Sequence, residues 1–133
     1  MRVEGSVNSP VTGIRVSSYR DLLVWQRGMR LAEAVYGVTA EFPSREMYGL
    51  TAQLRRAAVS IPSNIAEGHA TRRTGLFLRH LAIAKGSLAE VETQIELAVR
   101  LGFTKADAGL VDEADEVGRM LSGLIVTLQK RAP

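Results

Sequence analysis

The strongest constraint on the fold of this 133-residue chain is an apolar pattern between residues 77 and 98. Apolar residues recur there at alternating spacings of four and three over about three heptads: Phe77, Leu81, Ala84, Leu88, Val91, Ile95 and Ala98. This spacing lays the side chains along one stripe of an α-helix, which must pack against other helices to leave water. The pattern therefore predicts a helical bundle.

Three more segments show helical periodicity, and serine, threonine or glycine marks several of the helix ends. Ser44 follows a break in the pattern and is expected to cap the second helix, which closes near Gly68. Either Thr71 or Thr74 is expected to cap the third helix. Gly102 is expected to end that helix, because glycine tolerates the left-handed conformation common at helix ends.

Four helices joined by short links indicate an all-α fold, an antiparallel up-down-up-down four-helix bundle over residues 18–133. No segment alternates apolar and polar residues at period two for long enough to indicate a strand. Residues 1–17 lack sustained periodicity and are expected to form a flexible N-terminal tail. Pro62 falls inside the second helix, where its ring removes a hydrogen bond, so a kink is expected there.

Composition and missing motifs exclude several classes of protein. The chain has no cysteine, which rules out disulfides and thiolate metal sites. No apolar run approaches the roughly 18 residues of a membrane span, and no secretory signal is evident, so we expect a cytoplasmic protein without a membrane partner. Glycine-rich phosphate loops, GxSxG and HExxH motifs are absent. We therefore expect no enzyme, no cofactor and no metal, and we expect His69 and His80 to extend a basic region or sit half exposed.

Positive charge is concentrated in the middle third of the chain. Residues 45–85 carry seven basic and two acidic side chains, whereas residues 86–133 have an excess of acidic ones around Asp112, Glu113, Asp115 and Glu116. Arginine suits bidentate phosphate contacts, so the basic block is the candidate nucleic-acid-binding set. Its members are Arg45, Arg55, Arg56, Arg72, Arg73, Arg79 and Lys85. The alternatives are solvated faces or complementary patches that meet between subunits.

Polar residues interrupt the apolar stripe of the second helix. Asn64 lies at a position of the stripe where an apolar residue is expected. Ser60 and Glu67 are seven residues apart and lie together on the neighbouring face of the helix. Ser87 lies in the third helix beside a glycine. Because a buried amide must find hydrogen-bond partners, we hypothesise that these four side chains form a structural network that also braces the helix at Pro62.

Three apolar residues of the third helix point away from its buried stripe, namely Leu76, Ile83 and Leu97. Large apolar side chains in such columns are expected to be covered by a subunit interface. The alternative is the broad buried face of a tightly wrapped bundle. We favour the interface and predict a homo-oligomer.

Residues 60–68, with the sequence SIPSNIAEG, carry a family resemblance together with Gly86-Ser87 and Glu90. They strongly resemble the small bacterial four-helix-bundle proteins encoded in intervening sequences of 23S ribosomal RNA genes, and residues 19–25, YRDLLVW, look like the start of that family's first helix. The resemblance covers about residues 18–130. It implies an antiparallel bundle that forms a homopentamer and is related to accessory proteins of diversity-generating retroelements.

Charge pattern and resemblance together lead to one expected function. We expect a non-enzymatic homo-oligomer, a pentamer on the resemblance, that binds RNA or DNA through its basic surface, because repeated subunits multiply weak phosphate contacts. Aromatic residues are scarce in the basic block, so base stacking is not expected to select a sequence. The alternative is an interaction scaffold whose charged faces receive a partner protein such as a reverse transcriptase.

Overall fold

The computed structural model describes residues 18–105 and 108–131, and within them it contains four α-helices and no strand. The helices are α1 (Leu23–Thr39), α2 (Leu50–Ala70), α3 (Thr74–Arg100) and α4 (Ala108–Arg131). Helix α1 packs on α2 and α4, and α3 packs on the same two helices, so the four close into a bundle. The predicted all-α four-helix bundle is confirmed. The predicted tail, residues 1–17, lies outside the described residues.

The apolar stripe that predicted the bundle lies in its centre. All seven stripe residues of α3 are buried, and four of them have no exposed surface: Leu81, Ala84, Val91 and Ala98. Helices α1, α2 and α4 contribute further fully buried side chains to the same core: Leu31, Val35, Leu54, Ile61, Ile65, Val117 and Leu121. Burial of these side chains from all four helices holds the bundle together.

The predicted start of α2 at Ser44 is wrong. Residues Ser44–Glu46 form a separate turn of 3-10 helix, and α2 begins at Leu50. The Glu46 carboxylate accepts a hydrogen bond from the backbone N–H of Leu50 at 3.1 Å. This carboxylate satisfies an amide at the helix start and complements the positive end of the helix dipole, so Ser44 is not needed as the cap.

The predicted threonine caps of α3 are also wrong. Arg73 is the residue that precedes α3, and Thr74 is already inside the helix. The Thr71 hydroxyl instead donates to the carbonyl of Gly68 at 2.7 Å and accepts from the N–H of Arg73 at 3.2 Å. Thr71 therefore closes α2 and shapes the turn before α3. Gly102, with φ of +79°, follows the end of α3 as predicted.

Helix α2 continues through Pro62 to Ala70 without ending at the proline. Pro62 itself is buried where α1 approaches α2. Gly28 of α1 faces it, since a Cβ atom on Gly28 would lie 3.5 Å from Ile61 Cγ2 and 3.6 Å from Pro62 Cβ. The small residue of α1 thus brings its backbone close to the proline ring.

Candidate nucleic-acid interface

Side chains of α2 and α3 meet in a hydrogen-bonded group that we call the polar cluster: Ser60, Asn64, His80 and Ser87. The hydroxyl oxygens of Ser60 and Ser87 lie 2.8 Å apart. The Asn64 amide donates to the Ser60 carbonyl at 2.9 Å and to its hydroxyl at 3.0 Å. These bonds join three of the four residues of the hypothesised network and tie α2 to α3 at mid-length.

His80 belongs to this cluster, although it was not among the four residues of the hypothesised network. Its Nδ1 lies 3.0 Å from the Asn64 side-chain oxygen. Because Asn64 uses its NH₂ group on Ser60, its oxygen is the acceptor and His80 Nδ1 is the donor. One signal was available in the sequence, since His80 and Ser87 lie seven residues apart and share a column of α3.

Glu67, the fourth member of the hypothesised network, lies at its edge. Its carboxylate is 3.8 Å from His80 Nδ1, and its side chain is largely exposed. This distance is that of an ion pair when His80 is protonated, and it is too long for a hydrogen bond. Glu67 therefore reaches the polar cluster only through His80.

The seven predicted cations do not form one patch on a single copy of the chain. Arg45 lies before α2, whereas Arg72 and Arg73 lie after it, and α2 is about 30 Å long. Arg79 and Lys85 lie on α3, and both are exposed. The cations therefore line the α2–α3 half of the bundle along its length.

Two of these arginines are held against aromatic rings. The Arg55 guanidinium lies 4.4 Å from the ring centre of Tyr36, and its Nε donates to the Thr39 hydroxyl at 2.8 Å. The Arg45 guanidinium lies 5.7 Å from the ring centre of Phe103. Arg55 is half-buried, so it links α1 to α2 in addition to any contact it makes with a phosphate.

His69 does not extend the basic region as a cation at neutral pH. Burial, followed by the nearby charge of Arg72, lowers the pKa of His69 below its ordinary value, against a smaller opposing effect of Asp21. The ring of His69 packs edge-on against Phe77 with their centres 5.8 Å apart. The positive charge at the α2–α3 turn therefore comes from its arginines.

The acidic segment of α4 is partly neutralised by α1 of the same chain. Arg27 Nε lies 3.0 Å from Glu113, and Arg30 lies 3.4 Å from the other oxygen of that carboxylate. Glu116 is hydrogen-bonded by Arg119, whose guanidinium holds the pKa of that carboxyl below its ordinary value. Much of the acidic charge of α4 is thus used to join α1 to α4 or to pair within α4.

Apolar side chains remain exposed on two faces of the bundle. The residues predicted for the subunit interface are 37% (Leu76), 48% (Ile83) and 45% (Leu97) exposed. The second apolar surface is a groove of about 510 Å³ between α1 and α2, which the sequence did not predict to be open. Its lining includes Trp25, Met29, Tyr36 and Val59. We call it the α1–α2 groove.

Among the described residues, none of the helices combines the length and apolar character that a membrane crossing requires. Within residues 18–105 and 108–131, the His, Asp and Glu side chains form no group of three or more that could hold a metal ion.

The chain was compared with known proteins. The sequence model of one family, described as 23S rRNA-intervening sequence protein, matches residues 20–123. No curated protein matches the chain. The matched segment runs from the turn before α1 through the first two thirds of α4, so it includes the polar cluster and the whole of the basic block.

Proposed function

Since the chain belongs to the 23S rRNA-intervening sequence protein family, we propose that it is a non-enzymatic homo-oligomeric bundle that binds RNA or DNA through α2 and α3. The observation that carries the proposal is a set of exposed cations on these helices and their turn. Arg56, Arg73, Arg79 and Lys85 are exposed and form no ion pair with another described residue. Unpaired guanidinium and ammonium groups are available to phosphates.

Oligomerisation supplies the affinity in this proposal. The exposed side chains of Leu76, Ile83 and Leu97 run along α3 and support a contact with another copy, in a pentamer by resemblance to the family. Each copy brings a small number of cations, and each phosphate that they neutralise releases condensed counterions. Several copies joined together bind one polyanion more tightly than any single copy does.

The proposal predicts that binding depends on salt and on a particular set of arginines. The triple variant Arg56→Gln, Arg73→Gln, Arg79→Gln is expected to bind 23S ribosomal RNA fragments at least about tenfold more weakly at low salt, with a shallower dependence on salt concentration. The matched control is Lys105→Gln, Lys130→Gln, Arg131→Gln, which removes three exposed cations outside the basic block. Binding is measured by fluorescence anisotropy at two salt concentrations.

The control variant is expected to bind RNA nearly as well as the unmodified protein. Equal losses in the two variants would show that only net charge matters and would contradict an interface on α2 and α3. The oligomeric state of each variant is measured by light scattering, so that a loss of assembly is not mistaken for a loss of phosphate contacts.

A scaffold that receives a partner protein, such as a reverse transcriptase, is the second candidate function. The α1–α2 groove favours this function, because its exposed apolar side chains can pack against apolar side chains of a partner protein. No binding of any nucleic acid at low salt, with the oligomer intact, would support the scaffold over the nucleic-acid interface.

A further inference from the structure

A cleft of about 460 Å³ opens between α2 and α3, beside the polar cluster. Six of its seven lining residues have polar side chains: Gln53, Arg56, Ser60, Ser87, Glu90 and Gln94, with Ala57 as the seventh. We call this site the polar cleft. It differs from the α1–α2 groove, whose lining is mainly apolar, and its lining includes Arg56 of the proposed interface.

Several groups in the polar cleft lack partners among the residues that the structure describes. Gln94 Oε1 is buried and accepts no hydrogen bond, the one such side-chain atom among the described residues. The terminal torsion of glutamine is soft, so this amide can turn toward a donor placed in the cleft. Arg56 and Glu90 lie on opposite walls, and neither pairs with a charged side chain of the described residues. The cleft is therefore equipped for a polar ligand.

The two walls offer complementary hydrogen-bonding groups. Glu90 and Gln94 lie four residues apart on one face of α3, and both can accept hydrogen bonds. Arg56, on α2, carries a planar guanidinium group that can donate two parallel hydrogen bonds. A ligand that satisfies both walls needs adjacent donors on one edge and adjacent acceptors on another.

Guanine meets this requirement. Its N1–H and N2–H₂ groups are neighbouring donors, and its O6 and N7 atoms are neighbouring acceptors that arginine binds bidentately. Adenine lacks the adjacent donor pair, because its N1 is an acceptor. Uracil offers one ring N–H between two carbonyl groups, which leaves a carboxylate with a single donor. Among RNA bases, guanine alone presents an N–H and an NH₂ side by side to a carboxylate.

We propose that the polar cleft binds a guanine base of single-stranded nucleic acid, an inference that rests on the proposed function. Glu90 accepts from N1–H and N2–H₂, and Arg56 donates to O6 and N7. Gln94 turns its oxygen to the second hydrogen of the N2 amino group. None of the described residues that line the cleft is aromatic, so the base is selected by its edges and not by stacking.

The test uses short uridine oligonucleotides that differ at one central position, which is guanine, adenine or hypoxanthine. Anisotropy titrations at one fixed salt concentration are expected to show the guanine probe bound about tenfold more tightly than the adenine probe. Hypoxanthine lacks the N2 amino group, so that probe is expected to lose most of the advantage. The ratio between probes cancels the phosphate contribution that they share.

Protein variants assign the preference to the polar cleft. Glu90→Gln is expected to bring the guanine-to-adenine affinity ratio close to one, whereas Glu96→Gln, with the same charge change on the same helix, leaves the ratio unchanged. Glu96 pairs with Arg100 and does not line the cleft. Gln94→Met is expected to reduce the ratio without destabilising the fold, since it removes an acceptor that has no partner in the described part of the chain.

Equal binding of the guanine and adenine probes would overturn this inference and leave the proposed function standing. A guanine preference that survives Glu90→Gln would overturn it as well, because another site would then read the base. Failure of every probe to bind at low salt would overturn both the inference and the proposed function.

Discussion

Replacement of Leu81 by alanine is expected to lower the free energy of unfolding by about 2–5 kcal/mol. Leu81 lies in the apolar stripe of α3 and has no exposed surface. Alanine leaves a cavity that the surrounding helices fill only in part, so the loss of burial and the loss of packing contacts add. The measurement is urea-induced unfolding followed by circular dichroism at a single protein concentration.

The control for Leu81→Ala is Leu23→Ala, at the start of α1, where the leucine is 65% exposed. This substitution is expected to change the free energy of unfolding by less than about 0.5 kcal/mol. Protein concentration is held constant because the stability of an oligomer depends on it. Equal effects of the two substitutions would contradict the assignment of the α3 stripe to the core.

Gly68→Ala is expected to destabilise the protein by about 1–3 kcal/mol, although alanine is the better helix former. A Cβ atom at Gly68 would lie 2.7 Å from His80 Cβ and 2.9 Å from Phe77 Cδ1. The closest of these atoms, His80 Cβ, is fixed by the backbone and cannot move by a side-chain rotation, so α2 and α3 must separate. That separation also strains the hydrogen bond between Asn64 and His80.

Gly86→Ala is the matched control, because a Cβ atom at this position of α3 meets nothing within 4 Å. The control is expected to stabilise the protein by up to about 1 kcal/mol through helix propensity alone. The two glycine substitutions therefore have opposite predicted signs. Stabilisation by both, measured by urea-induced unfolding, would show that α2 and α3 do not approach closely at Gly68.

The sequence predicts the core well and the helix ends less well. The α3 stripe is buried as its spacing predicts, because periodicity reports directly which face of a helix is apolar. Ser44 and Thr71 are good caps by residue type, yet the Glu46 carboxylate occupies the start of α2 and Thr71 bonds to the end of the same helix. Residue type alone does not predict which of several neighbouring side chains makes the hydrogen bond at a helix end.

The open surfaces could be predicted only in part. Met29 and Tyr36 lie seven residues apart on one apolar face of α1, yet both are exposed, because α2 and α4 cover the other side of that helix. The exposed positions of α3 follow from its heptad pattern, whereas the α1–α2 groove depends on which helices become neighbours. Similarly, the sequence does not reveal that the Gln94 oxygen is buried without a partner among the described residues.

The packing of α2 against α3 underlies the polar cluster, the polar cleft and the proposed interface, and a cross-link tests it most directly. The chain has no cysteine, so Ser60→Cys, Ser87→Cys introduces the only two thiols. The hydroxyl oxygens that they replace lie 2.8 Å apart, and a small rotation of each side chain brings sulfur atoms to the bond length of about 2.0 Å. Ser63→Cys, Ser87→Cys is the control, since Ser63 is exposed and lines the α1–α2 groove.

After mild oxidation, non-reducing electrophoresis and mass spectrometry are expected to show an intramolecular disulfide in the 60/87 variant and free thiols in the 63/87 variant. Free thiols in the 60/87 variant, or disulfides formed only between chains, would contradict the packing of α2 against α3 within one chain.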